Sequence, residues 1–348
     1  MLKNKRSTGL FALLFVLMMV LAACSGGGSN KTDSDTKEGD GKKSNDEGKT
    51  YSFRLAETHP ADYPTTKGDI KFAELVEERS NGRIKIEVFP SAQLGEEKAV
   101  IEQVQLGAIE FTRVSSGPLA EFNKDFGVFS LPYIFDNDEH TWNFLNGDMG
   151  NKMLESLEDS QLRGLAYYSS GSRNFYASSP LTSIDDLEGL KIRVQQNKIN
   201  MELIEALGAS ATPMPYGEVY SSLQTGVIDG AENNHPSFYS AKHYEVAPHY
   251  ILDGHQRVPE VLLISKTVWD SLSAEDQEII KQAALDSVEY QREEWNKYEQ
   301  ESLEAVKNEG ATVVEVDDLT PWQEKVKPVI DNYRDEFNEV LDAIDQAR

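Results

Sequence analysis

The chain has 348 residues, 39% of them hydrophobic and 27% charged, a length that suits two cores better than one small one. Its formal net charge of −25 excludes nucleic acid as a partner, because phosphate binding needs a basic face. A small anionic ligand fits this balance only if a local basic pocket works against the overall field.

Lys3, Lys5 and Arg6 open the chain, an apolar run follows from Leu10 to Leu21, and Leu21-Ala22-Ala23-Cys24 closes it. A basic start, a short apolar run and small residues before a cut make 1–23 a secretory signal; the run is short for a transmembrane anchor. Leu-Ala-Ala-Cys resembles the bacterial lipobox, which implies cleavage before Cys24 and lipid attachment to it. Cys24 is the one cysteine, so no intramolecular disulfide forms. Residues 25–50 contain no apolar side chain and cannot bury anything, so 24–50 reads as a disordered tether. The expected location is outside the cytoplasm, anchored to the cell membrane by lipid.

Residues 51–56, "YSFRLA", alternate as a strand does. Residues 65–79 carry Ile70, Phe72, Ala73, Leu75 and Val76 at helical spacing, and "SNGR" stops them. "IKIEVFP" is the next strand, ended by Pro90; "EEKAVIEQVQLG" is a helix closed by Gly107; "AIEFTRV" is a third strand. This rhythm predicts a largely parallel sheet covered by helices. It returns as the strand "GLKIRVQ", helices over "NKINMELIEALG" and "YGEVYSSLQTG", and the strand "VIDGAE". "VQLGAIEFTR" at 104–113 echoes "LQTGVIDGAE" at 223–232, which with the matching element order supports two α/β lobes of one type. Residues 273–309 predict one long helix or two in tandem, with Ser273 as amino-terminal cap and Gly310 as stop. A strand "ATVVEV" and one helix over 320–345 follow. A chain that visits lobe one, lobe two and then both again makes a hinge, and hinged α/β lobes bind ligand between them.

No nucleophile elbow, phosphate-cradling loop or paired metal-ligand cysteines occur, so nothing nominates an enzyme and no metal or cofactor is expected. Four of the six histidines lie between His235 and His255, but their spacings of eight, six and six miss the i, i+4 pattern of a helical zinc site. Arg193 sits at the carboxyl end of a parallel-type strand, where open α/β sheets place ligands. Its guanidinium suits a carboxylate, and equally a structural ion pair with one of 59 acidic residues. Asp229–Asn234 ends the corresponding strand with amides that donate and accept, or make a plain Asx turn. Arg173, between glycine and an aromatic residue, is a third candidate; alone it reads as a solvated turn charge.

"GLKIRVQ" followed by "LGASATPMPYGEVYSSLQTGVIDGAENN" is similar to the signature of the DctP-like family. These are the extracytoplasmic solute-binding subunits of tripartite ATP-independent periplasmic (TRAP) transporters. "FPSAQLGEEKAVIEQVQLGAIEF" and "VFSLPYIF" fit as well. The resemblance covers about 51–340. It implies a two-lobed type II periplasmic-binding-protein fold with a hinge and a long lobe-spanning helix, lobe I being 51–170 with 259–298 and lobe II 171–258 with 299–348. It implies that Arg193 holds the ligand carboxylate, with Arg173 and Asn233 beside it. First-lobe contacts fall near Glu57 to His59 and Arg113 to Ser116. "AENNHPSFYSAKHYEV" and "DGHQRVPEVLLISK" look most like members that bind hexuronates. The expected wall is therefore Arg193 and Arg173 for the acid, with Glu57, His59, Ser115, Gln196, Asn233 and Asn234 for hydroxyls. Arg113 is a spare cation that keeps a C4-dicarboxylate open as the alternative, and an extracellular lipoprotein enzyme is the rival from another class. The implied partners are a small organic acid, the TRAP membrane permease subunits and the membrane through the lipid.

Overall fold

The computed structural model describes residues 48–348; the leader, Cys24 and nearly all of the tether lie outside the described residues. Eleven strands are described: β1 (Tyr51–Ala56), β2 (Ile84–Phe89), β3 (Phe111–Ser115), β4 (Leu162–Tyr168), β5 (Arg173–Ala177), β6 (Lys191–Val194), β7 (Ser210–Pro213), β8 (Gly230–Asn233), β9 (His249–Gln256), β10 (Glu260–Ser265) and β11 (Thr312–Glu315). They form two sheets, β2-β1-β3-β10-β4 and β11-β9-β5-β8-β6-β7, one per lobe. β2 alternates as an edge strand with one wet face should, with Ile84 and Ile86 in and Lys85 and Glu87 out, whereas central β3 is buried throughout.

Neither sheet is as parallel as the sequence rhythm suggests. β1 runs parallel to β2 and β3, and β6 to β7 and β8, but β10 lies antiparallel to β3 and β4, and β5 antiparallel to β8 and β9. The physical reason is the hinge. The chain crosses between sheets at 169–172, from β4 to β5, and again at 257–259, from β9 to β10, and both entering strands run against their neighbours.

The long segment is one helix, Ala274–Asn308, of 35 residues, about 50 Å at 1.5 Å per residue. Ser273 Oγ accepts from the Asp276 N–H at its start. The helix packs on Pro64–Arg79 of the first lobe and on His235–Ser240 of the second. The expected single helix over 320–345 is two, Thr320–Tyr333 and Asn338–Gln346. Leu341 and Ile344 join the core of the first lobe with Trp142, Phe144 and Phe129, and the Ile344 carbonyl lies 2.7 Å from His140 Nε2. Assigning all of 299–348 to the second lobe therefore does not hold: its last helix returns to the first, because an amphipathic face must bury somewhere and that core is open there.

Candidate functional site

The two sheets present their strand ends to each other. In the second lobe β5, β8 and β6 are neighbours, so Arg173 at the start of antiparallel β5, Asn233 at the end of β8 and Arg193 near the end of β6 converge. In the first lobe Glu57 follows β1, Arg113 and Ser115 end β3, and Glu260 opens β10 directly across from Ser115. The space between is about 340 Å³, lined by His59, Glu97, Ser115, Glu260 and Thr58 on one side and by Arg173, Arg193, Gln195, Tyr216, Asn233 and Asn234 on the other. That figure includes the open mouth; the enclosed part is only about 20 Å³, so the two walls nearly meet.

The three arginines are not equivalent. Arg113 is fully committed: Nε donates to Glu57 Oε2 at 2.7 Å, Nη1 to Glu260 Oε2 at 2.6 Å and Glu97 Oε1 at 3.1 Å, and Nη2 to Glu57 Oε1 and to Thr58 Oγ1. Arg173 donates to the Glu232 carboxylate through Nε and Nη2, and no bond to a described residue uses its Nη1. Arg193 is 97% buried, yet Nε and Nη2 reach only the carbonyl of Met214, at 3.1 and 2.8 Å. No described carboxylate pairs with it. Burial pulls it below the ordinary arginine value, against the pull of Glu232, and the Arg173 charge adds to the fall.

Behind Arg173 the charges are balanced. His255 Nδ1 lies 2.8 Å from Asp253 Oδ2, and its ring stacks on Phe175 at 4.2 Å. Burial opposes its charge, but Asp253 and Glu232 outweigh that and raise it to about 9. Glu232 stays ionised despite burial because Arg173 and His255 flank it. His59 faces the cleft from the other lobe. Arg113 Nη2 and Glu57 Oε1 lie 2.7 and 3.1 Å from its Nδ1. Burial and the Arg113 charge lower its pKa, so the ring is neutral, and Tyr63 stacks on it at 4.0 Å.

Side chains bridge the walls. Gln195 Nε2 donates to Ser115 Oγ at 2.8 Å, Asn197 Nδ2 to Ser130 Oγ at 3.0 Å, and the Tyr63 hydroxyl meets Ser237 Oγ at 2.8 Å. Of the residues expected from sequence, Arg193, Arg173, Asn233, Asn234, His59 and Ser115 line the cleft. Glu57 and Arg113 lie directly behind its wall, and Gln196 is half-buried outside it. Asn234 also caps His235–Ser240, its Oδ1 accepting from the Ser237 N–H. Sequence reasoning missed Gln195, Glu97, Tyr216 and Glu260. Gln195 was within reach, because period-two alternation puts it, and not Gln196, on the face of Arg193.

Residues 55–336 match the family model described as bacterial extracellular solute-binding protein, family 7, known as DctP. The chain belongs to this family. It is 39% identical over 290 residues to a solute-binding protein of Chromohalobacter salexigens, covering 83% of this chain and 86% of that one. Among DctP-family structures, it is similar to a TRAP periplasmic solute-binding protein from Xanthobacter autotrophicus with bound β-D-galacturonate. The identity is 43% and the TM-score 0.83, over 85% of this chain and 100% of the other. A relative from Pseudomonas putida with bound D-glucuronate matches at 36% identity and a TM-score of 0.83, over 85% and 97%. Members of the DctP family are extracellular binding proteins, and this chain shares their two-lobed fold.

Proposed function

We propose that this protein captures a hexuronate, such as galacturonate or glucuronate, between its lobes and delivers it to a TRAP-type permease. The observation that carries the reading is Arg193. A guanidinium removed from water without an anion is costly, and a ligand carboxylate supplies the missing charge and two aligned bonds. The free Nη1 of Arg173 adds a second donor to the same end. A sugar acid has several hydroxyls besides, and neutral His59, Ser115, Gln195 and Asn233 are suited to them. The C4-dicarboxylate alternative relied on Arg113 as a second cation, and Arg113 has its donors already committed to Glu57, Glu97, Glu260 and Thr58. Solved relatives with galacturonate and glucuronate bound support the same choice. Calorimetry against galacturonate, glucuronate, malate and succinate tests it: heat from a uronate and none from succinate is expected, and the reverse overturns it.

Attachment to the membrane through a lipid on Cys24 is part of the reading, supported by Leu21-Ala22-Ala23-Cys24 and the apolar-free stretch after it. Cys24→Ser should release the protein from the membrane fraction or leave it unprocessed. Unchanged fractionation and processing would count against the anchor.

A further inference from the structure

The first-lobe wall holds more carboxyl groups than cations. Glu57, Glu97 and Glu260 all bond to the single guanidinium of Arg113. Behind them Asp69 is fully buried, with neither side-chain oxygen bonded to a described residue. The three bonded carboxylates differ in what they have left to offer. Glu57 is used on both oxygens, by Arg113, by the His59 N–H at 2.7 Å and by Thr65 Oγ1 at 3.3 Å. Glu97 takes both its bonds on Oε1, from Arg113 and from the Ser115 N–H at 2.9 Å, in the first turn of Glu97–Gln105, where the helix end also favours its charge; its Oε2 has no partner among the described residues, but two donors hold it where Glu260 has one. Glu260 has one bond, from Arg113 to Oε2. Its Oε1 has no partner among the described residues, and the side chain lines the cleft immediately after the 257–259 crossing.

We propose that Glu260 is the residue that sets the choice between a sugar acid with one carboxylate and its dicarboxylic, aldaric counterpart. Its unbonded oxygen accepts from a ligand hydroxyl, and its charge keeps a second carboxylate off the first-lobe wall. The inference rests on the sugar-acid reading above. An ionised carboxylate is an acceptor only, so it welcomes a hydroxyl and repels an anion across a low-dielectric gap. The charged and titratable groups around it are Glu57 after β1, His59 in the following loop, Tyr63 just before Pro64–Arg79, Asp69 on that helix, Glu97, Arg113 on β3 and Arg173 on β5. Burial lifts Glu260 to about 7 against Arg113, and Glu97 and Glu57 add to the rise, so its charge can be changed near neutral pH.

Calorimetry on the full chain with galacturonate and galactarate reads the choice as a change in their affinity ratio; the two share six carbons, but one is a pyranose ring and the other an open chain with a second carboxylate, so the variant is compared with wild type on both. Wild type should prefer galacturonate. Glu260→Gln keeps the shape and should lose roughly fivefold on galacturonate, the worth of one hydrogen bond. It should also gain at least about tenfold on galactarate as the repulsion goes. An unchanged ratio in a variant that melts like wild type overturns the inference while leaving the sugar-acid reading standing. If the variant does not fold, wild type measured at about pH 8 and about pH 6 takes its place, and the preference for galacturonate should shrink at the lower pH as Glu260 gains a proton. A ratio constant across that range overturns it too. A wild type that binds neither compound but does bind succinate removes both the reading and the inference.

Discussion

Arg193 is a full positive charge taken out of water with one carbonyl for company. Such a group is tolerated in a fold when its counter-ion arrives with the ligand, so the cost of burying it is offset by binding. Arg193→Lys keeps the charge and loses the planar fork. It should weaken galacturonate binding by at least about tenfold in calorimetry, with the melting temperature near wild type. Wild-type affinity in the folded variant would remove Arg193 from the anchor role. This residue was legible as a candidate because it ends a parallel-type strand, where open α/β sheets place ligands, and the family resemblance, not the alternation, gave it the anchor role. Glu97 and Glu260 were not legible. A glutamate in a helix's first turn and another at a strand's start look like ordinary solvated charges, and only the fold brings both onto Arg113.

At the level of the elements, the cleft is shut by helix starts and short turns. Asn197 caps Lys198–Ala206 through Oδ1, which accepts from the Asn200 N–H at 2.8 Å, while Nδ2 reaches across to Ser130. Gly117, in the first lobe, approaches Gln195 of the second so closely that a Cβ there would sit 2.2 Å from Gln195 Oε1. Gly117→Ala should push Gln195 off Ser115 and weaken galacturonate binding by roughly fivefold, the worth of one hydrogen bond. The contact lies between lobes, so the melting temperature without ligand should not move. Full affinity in the variant would show that Gln195 can leave Ser115 at no cost to the bound form. The helices at 65–79 and 273–309 were legible from sequence, because 3.6-residue spacing and caps such as Ser273 are local signals; Asp138–Leu145 and Asp148–Ser156 were not read, and 320–345 was read as one helix where there are two. The hinge strands were not legible either. "EVLLIS" in β10 is buried on all six residues and has no period to read, and strand direction depends on where a crossing chain lands.

For the molecule as a whole, two crossings and one 35-residue helix tie the sheets together, while the ligand wall is divided between them. A ligand gripped by both walls favours the form in which they meet, by as much as its contacts differ between the two forms. Small-angle scattering should give a smaller radius of gyration at saturating galacturonate than without it; an identical radius at saturation would argue for rigid lobes. The return of Asn338–Gln346 to the first lobe carries a consequence for biogenesis. This helix covers apolar side chains around Asp138–Leu145, some 200 residues earlier in the chain, at the cost of closing a very long loop. The first lobe therefore cannot complete its core while those final residues are still being synthesised, and contacts of such long range form slowly.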